Sequence, residues 1–318
     1  HVLFRRQRQM CIRDRSTAIL MNVNSGEIFS MVSLPDFDLN KREDISDKKF
    51  INRSTKGVYE LGSVFKTFTL AAGLQQNVIQ EDTLFKNLPK KIKCAGRSIS
   101  EYDMDIPSSL TAEEILIRSG NIGSIKIAQK VGLENFKDFL EDLDLLNKMQ
   151  FDIEEVGNPI PFKWGKCKLA TSAYGHGITT TPLQLAKAYA IIANGGYKIK
   201  PTLIKKEKNL KRGEQIITQE NSNKINEILR KIVTSEQGTA NLANIAGYEI
   251  AGKTGTAQKS IKGKYSKKKI NTFASIFPIS SPKYVLIVLL DEPKLSETYI
   301  YEYNLSLIHI SEPTRLVS

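Results

Sequence analysis

Histidine, cysteine and tryptophan are scarce in this chain of 318 residues, which holds three His, three Cys and one Trp. His1, His309 and Cys11 lie near the ends, leaving His176, Cys94 and Cys167 in the body of the chain. One histidine and two distant cysteines argue against a structural or catalytic zinc site, so neither a metal nor a cofactor is expected. A Ser-His-Asp enzyme would have to rest on His176 alone, and its glycine flanks make it a structural loop residue. Two cysteines define no disulfide framework, and free buried thiols are the expectation. No apolar run is long enough to span a membrane. Internal repeats and low-complexity tracts are missing too.

The ends stand apart from the rest. Arg5–Asp14 resembles a translated transposon-end sequencing adapter, and Leu305–Arg315 resembles the same adapter read in the opposite orientation. Residues 1–15 and 305–318 are therefore excluded from fold reasoning, and about 16–304 is taken as protein, cut at both ends. Setting aside their six arginines and two acidic residues lowers the net charge from +12 to +8. A basic surface suits an anionic membrane or wall polymer and does not require nucleic acid. The Lys259–Lys269 run has six lysines but only Tyr265 as an aromatic for stacking, so it reads as a solvated hairpin.

Apolar runs at 17–23 and 27–33, split by Asn24-Ser-Gly26, predict a β-hairpin. A helix is expected from about Ser63 to Gln76, after a polar loop broken by Pro35. Asp82–Pro107 reads as irregular. Thr111-Ala-Glu-Glu114 has the form of a capping box, with helices to follow over 115–117, 123–131 and 134–146. Thr181, Pro182 and the Asn194-Gly-Gly196 stop bracket a helix, and 221–234 is another. The period then changes: 248–257, 272–277 and 283–290 read as strands joined by Lys259–Lys269 and Pro278–Pro282. Two strands, a long helical insertion and three strands in meander order imply an α+β fold. It would be a five-stranded antiparallel sheet flanked by helices, with a mostly helical subdomain over about 80–180.

Ser63 and Lys66 lie three residues apart at a helix start, which puts both side chains on one face. A hydroxyl, an adjacent amine and unpaired helix amides are the minimum set for acyl transfer. The pattern alone says little, because Ser-x-x-Lys also occurs at Ser46/Lys49, Ser266/Lys269 and Ser280/Lys283. Ser119-Gly-Asn121 and Lys253-Thr-Gly255, by contrast, each occur once, and both follow Ser63 in a fixed order. Taken singly, the first is also a plain helix-ending turn and the second a strand with a bulge glycine.

The ordered trio resembles the signature of penicillin-binding proteins and serine β-lactamases across essentially all of 16–304. Tyr59–Lys66, Tyr174–Ala186 and Ala251–Gln258 are similar to class B penicillin-binding transpeptidases, and most similar to their division-specific septal members. Gly120 stands where class A β-lactamases usually carry Asp, and no Glu-x-x-Leu-Asn follows the second motif. The resemblance implies that Ser63 attacks a peptidoglycan stem peptide at its D-Ala-D-Ala end and that Lys66 is the base. It needs burial and nearby positive charge to lower the Lys66 pKa. Ser119 would relay the proton, and Asn121 would orient Lys66 and bind the substrate amide. Lys253, Thr254 and Thr256 would hold the terminal carboxylate, with Gly255 letting the strand approach. The amides of Ser63 and Thr256 would form the oxyanion hole. Implied partners are stem peptides, β-lactams and a glycosyltransferase. A missing N-terminal anchor would hold the domain on the periplasmic face of the inner membrane, and a pedestal and closing helix would also lie outside the fragment. The alternatives are a β-lactamase, a D,D-carboxypeptidase and an inactive penicillin-binding sensor.

Overall fold

The computed structural model describes residues 15–38, 40–41, 50–206, 212–261 and 264–293. The first two apolar runs form β1 (Arg15–Asn22) and β2 (Ile28–Leu34), paired antiparallel. Their turn is closed by the Asn22 carboxamide, which accepts from the amides of Asn24 and Ser25. This is the local bond that makes Asn a turn residue. A 3₁₀ turn over Gly62–Phe65 leads into α1 (Lys66–Gln75), in which every residue from Lys66 to Leu74 is buried. A helix without a solvent face can only run through the core.

The insertion then folds as β3 (Leu84–Phe85), β4 (Lys91–Cys94), β5 (Arg97–Ser100) and β6 (Leu110–Thr111). Four helices follow: α2 (Ala112–Ile117), α3 (Asn121–Val131), α4 (Leu133–Asp142) and α5 (Lys166–Ser172). Thr111 and Glu114 complete the capping box, each side chain bonding the other's backbone amide. Helix α6 (Pro182–Ala193) starts on a second box, between Thr181 and Gln184, and is buried along its whole length. It lies against the sheet, while α7 (Gln219–Thr234) packs on α1 and on the edge strand.

The last three strands are β7 (Ala251–Ile261), β8 (Lys264–Phe277) and β9 (Tyr284–Asp291). The sheet order is β2-β1-β9-β8-β7, antiparallel throughout, so the N-terminal hairpin joins the C-terminal meander through β1 against β9. The expected five-stranded α+β architecture is the one observed. No described helix is long and apolar enough to cross a membrane.

Three expectations are corrected. Asp82–Pro107 is not irregular throughout: it holds β3 and the β4–β5 hairpin, which turns through Ala95 and Gly96, both at positive φ. Lys259–Lys269 is a hairpin as expected but mostly strand and not a separate connection, because β7 and β8 run on as a long ribbon past the sheet body. Cys94 and Cys167 are not free thiols. They form a disulfide with Cα atoms 5.6 Å apart that ties β4 to α5 across 73 residues. The fold brings together two residues whose sequence separation gave no hint of pairing. The readings of the two ends lie outside the described residues, apart from Arg15. That residue opens β1 and pairs with Asp291 at 3.5 Å and with Glu292 at 2.9 Å.

Candidate active site

Ser63 sits in the 3₁₀ turn that feeds α1, half-buried, with its amide at the unpaired N-terminal end of the helical segment. Two contacts fix the approach to it. Tyr59 and Thr180 exchange backbone hydrogen bonds of 2.9 and 3.0 Å, locking the segment before Ser63 to the Tyr174–Ala186 stretch. Gly62 adopts φ +62°, and a β-carbon there would lie 2.4 Å from the Thr256 carbonyl oxygen. The turn therefore presses directly on β7. Gly255 is the reciprocal contact: its β-carbon would lie 2.4 Å from the Leu61 carbonyl oxygen. Both positions exclude a side chain on distance alone. From inside, the buried Tyr189 hydroxyl of α6 donates to the Val64 carbonyl at 3.0 Å and lies 2.9 Å from Thr67 Oγ1.

Lys66, one turn on, is 2% exposed, and Lys253 on β7 is fully buried. The two ammonium groups converge on one residue. Lys66 Nζ donates to the Ser119 carbonyl and, at 3.2 Å, to Ser119 Oγ. Lys253 Nζ donates to the same Oγ at 2.9 Å and to the Thr254 carbonyl at 3.0 Å. Ser119 reaches this point from the α2–α3 turn with φ +59°, a left-handed conformation that a serine holds only when its surroundings impose it. Burial brings Lys66 down from the ordinary 10.5 to about 7, while the Glu101 carboxylate pulls the other way. The expected contribution of neighbouring positive charge falls elsewhere. It acts on Lys253, which burial and then the Lys66 charge hold well below the ordinary lysine value. Lys66 is thus a base available near neutral pH, because an amine without water loses the solvation of its charged form.

The other expected residues are placed as follows. Asn121 is the first residue of α3, and its carboxamide donates to the Ser100 carbonyl at 2.8 Å, so Lys66 is oriented by Ser119 rather than by Asn121. Thr254 Oγ1 donates to Thr239 Oγ1 at 3.1 Å, and Thr256 borders the Ser63 turn through its backbone. His176 is packed against Tyr174 at 4.8 Å and is pushed down to about 4, chiefly by burial, so it is neutral at physiological pH. Thr239, Tyr189 and Glu101 were missed by sequence reasoning. Nothing in one sequence marks Thr239 or Glu101, whereas Tyr189 was readable only as an apolar-face position of α6. Of the rival Ser-x-x-Lys pairs, Ser266 lies in β8 and Ser280 in the β8–β9 turn, so neither opens a helix; Ser46/Lys49 lies outside the described residues.

A half-buried serine at a helix start, two buried lysines sharing one hydroxyl and a strand across the mouth can together carry serine acyl transfer. The penicillin binding protein transpeptidase domain model matches residues 16–306. A probable peptidoglycan D,D-transpeptidase FtsI from Caulobacter vibrioides is 32% identical over 290 residues, covering 88% of this chain and 49% of that one. The transpeptidase domain of Burkholderia pseudomallei penicillin-binding protein 3 superposes with a TM-score of 0.80 at 25% identity, over 92% of this chain and 85% of that one. Penicillin-binding protein 3 from Mycobacterium tuberculosis, solved with ampicillin, gives 0.79 at 25% identity over 91% and 70%. The chain belongs to the penicillin-binding protein transpeptidase domain family. It spans about half the length of the FtsI relative it matches.

Proposed function

We propose that this chain is the acyl-transfer domain of a septal-type peptidoglycan D,D-transpeptidase. Ser63 Oγ attacks the carbonyl of the penultimate D-alanine while its proton passes to the neutral Lys66 amine. The amides of Ser63 and Thr256 hold the oxyanion, a pairing that the close approach of Gly62 to Thr256 supports. When the peptide C–N bond breaks, the leaving D-alanine amine takes a proton through Ser119 Oγ, which both lysines already hold. Lys253, Thr254 and Thr256 bind the terminal carboxylate, and Asn121 binds the substrate amide. An amine of a neighbouring stem then attacks the acyl-enzyme, forming the cross-link and freeing Ser63. A β-lactam enters the same first step, and opening of its ring leaves it esterified to Ser63.

The observation that carries this reading is the junction of Lys66 and Lys253 on Ser119 beside a helix-start serine. The disulfide supports placement outside the cytoplasm, where such bonds persist. A membrane-anchored whole protein working beside a glycosyltransferase, with this domain in the periplasm, belongs to the same proposal through the family resemblance. Incubation with a fluorescent penicillin tests it. A covalent adduct that survives for many minutes supports a transpeptidase. Rapid turnover would assign a β-lactamase instead, and no labelling would assign a non-catalytic module.

A further inference from the structure

Glu101 follows β5 directly and is only 7% exposed, a position at which an unpaired carboxylate is costly. Its two oxygens accept separately from the first amides of α3: Oε2 from Asn121 N at 2.6 Å and Oε1 from Ile122 N at 2.8 Å. The neighbouring carbonyl of Ser100 accepts from the Asn121 carboxamide at 2.8 Å. One dipeptide therefore grips Asn121 by both its backbone and its side chain. Glu101's own amide donates to the Lys90 carbonyl at 2.9 Å, and the hairpin it leaves is tied to α5 through Cys94–Cys167. On the far side of the same turn, Ser119 presents its carbonyl and hydroxyl to Lys66. A β-carbon on Gly120 would lie 3.8 Å from Glu101 Oε1, so the carboxylate lies close beneath the Ser119–Ile122 backbone.

We propose that Glu101 is a positioning residue for acylation, holding the Ser119–Asn121 turn so that Ser119 meets both lysines. This rests on the transpeptidase reading given above. The carboxylate also places a negative charge near the Lys66 amine. The titratable groups set against Lys66 are Lys253 from β7, neutral His176 from the loop after α5 and Glu101 from the hairpin. Among the described residues, the Glu101 charge favours the Lys66 ammonium, as does the Ser119 carbonyl that accepts from it. The residue is therefore expected to have two separable effects: it fixes geometry, and it raises the pH at which Lys66, lowered chiefly by burial, becomes a base.

Glu101→Gln separates them in the full 318-residue chain. Gln can accept one of the two amide bonds but not both, and it carries no charge. The plateau rate of Ser63 acylation by penicillin is expected to fall on the order of tenfold or more, as loss of alignment does. At the same time the acid limb of the rate profile should move to lower pH. Glu101→Asp keeps the charge but shortens the reach, so its plateau should fall while its acid limb stays near that of the wild type. A direct readout accompanies the kinetics: NMR titration of the Lys66 ε-methylene, with Lys66→Arg identifying the signal. In Glu101→Gln this signal should titrate at lower pH than in the wild type. That readout needs no catalysis, so it stands even if penicillin fails to acylate the wild type and the transpeptidase reading falls. A wild-type plateau in Glu101→Gln would overturn the positioning role. So would a reduced plateau with an unmoved Lys66 titration, which would make Glu101 a stabilising cap and no more.

Discussion

The pH dependence of acylation follows from the burial of Lys66. At its ordinary value of 10.5, a lysine at pH 7 has roughly one amine in 3,000 neutral; at about 7, roughly half are neutral. The expected profile for penicillin acylation of Ser63 rises about tenfold per pH unit below 7, bends near 7 and is flat above. Stopped-flow acylation from pH 5 to 10, with unfolding followed at each pH, measures it. The same change makes a second expectation with a defined sign. The folded state has the lower pKa, so between about 7 and 10.5 the unfolded chain binds more protons and stability rises with pH. Below about 7 the full cost of charging the buried amine is present, up to roughly 5 kcal/mol for a change of this size. Lys253, also lowered by burial, adds in the same direction. An acylation rate that keeps climbing tenfold per pH unit from 7 to 10 would show an unperturbed lysine and exclude a Lys66 lowered by burial.

Two further predictions concern the frame around the site. Cys94→Ser opens a 73-residue loop and should cost about 4 kcal/mol by the chain-entropy relation, read as a lower unfolding midpoint. The same loss should appear when the wild type is reduced, and no loss on reduction would count against the bond. Gly255→Ala places a β-carbon 2.4 Å from the Leu61 carbonyl and must part β7 from the Ser63 turn. Far-UV circular dichroism should stay native while penicillin acylation falls at least a hundredfold, and a wild-type rate would show that the contact does not shape the oxyanion site.

Much of this was legible because the chain writes it locally. The Asn24-Ser-Gly26 turn, the Thr111 capping box, the Thr181 cap and the Pro182 start are signals confined to a few neighbouring residues, and each predicted its element. The three ordered motifs singled out Ser63, Lys66, Ser119 and Lys253, and the fold joins Lys66 and Lys253 on Ser119. Illegible features were those made by tertiary contact. The β4–β5 hairpin turns on Ala95 at φ 47°, and alanine gives no turn signal. The disulfide depends on α5 lying beside the hairpin, which no spacing encodes. Glu101 and Thr239 acquire meaning only when α3 and β7 are placed against them. The depression of Lys66 could be required from the sequence, but its cause, burial before charge, needed the packing.

The central claim is that Ser63 is the acylated residue, and peptide mapping of the penicillin-treated chain tests it most directly. One adduct is expected, on the peptide carrying Ser63, lost in Ser63→Ala and retained in Ser266→Ala and Ser280→Ala. An adduct that persists in Ser63→Ala, or that maps to another serine, would contradict it.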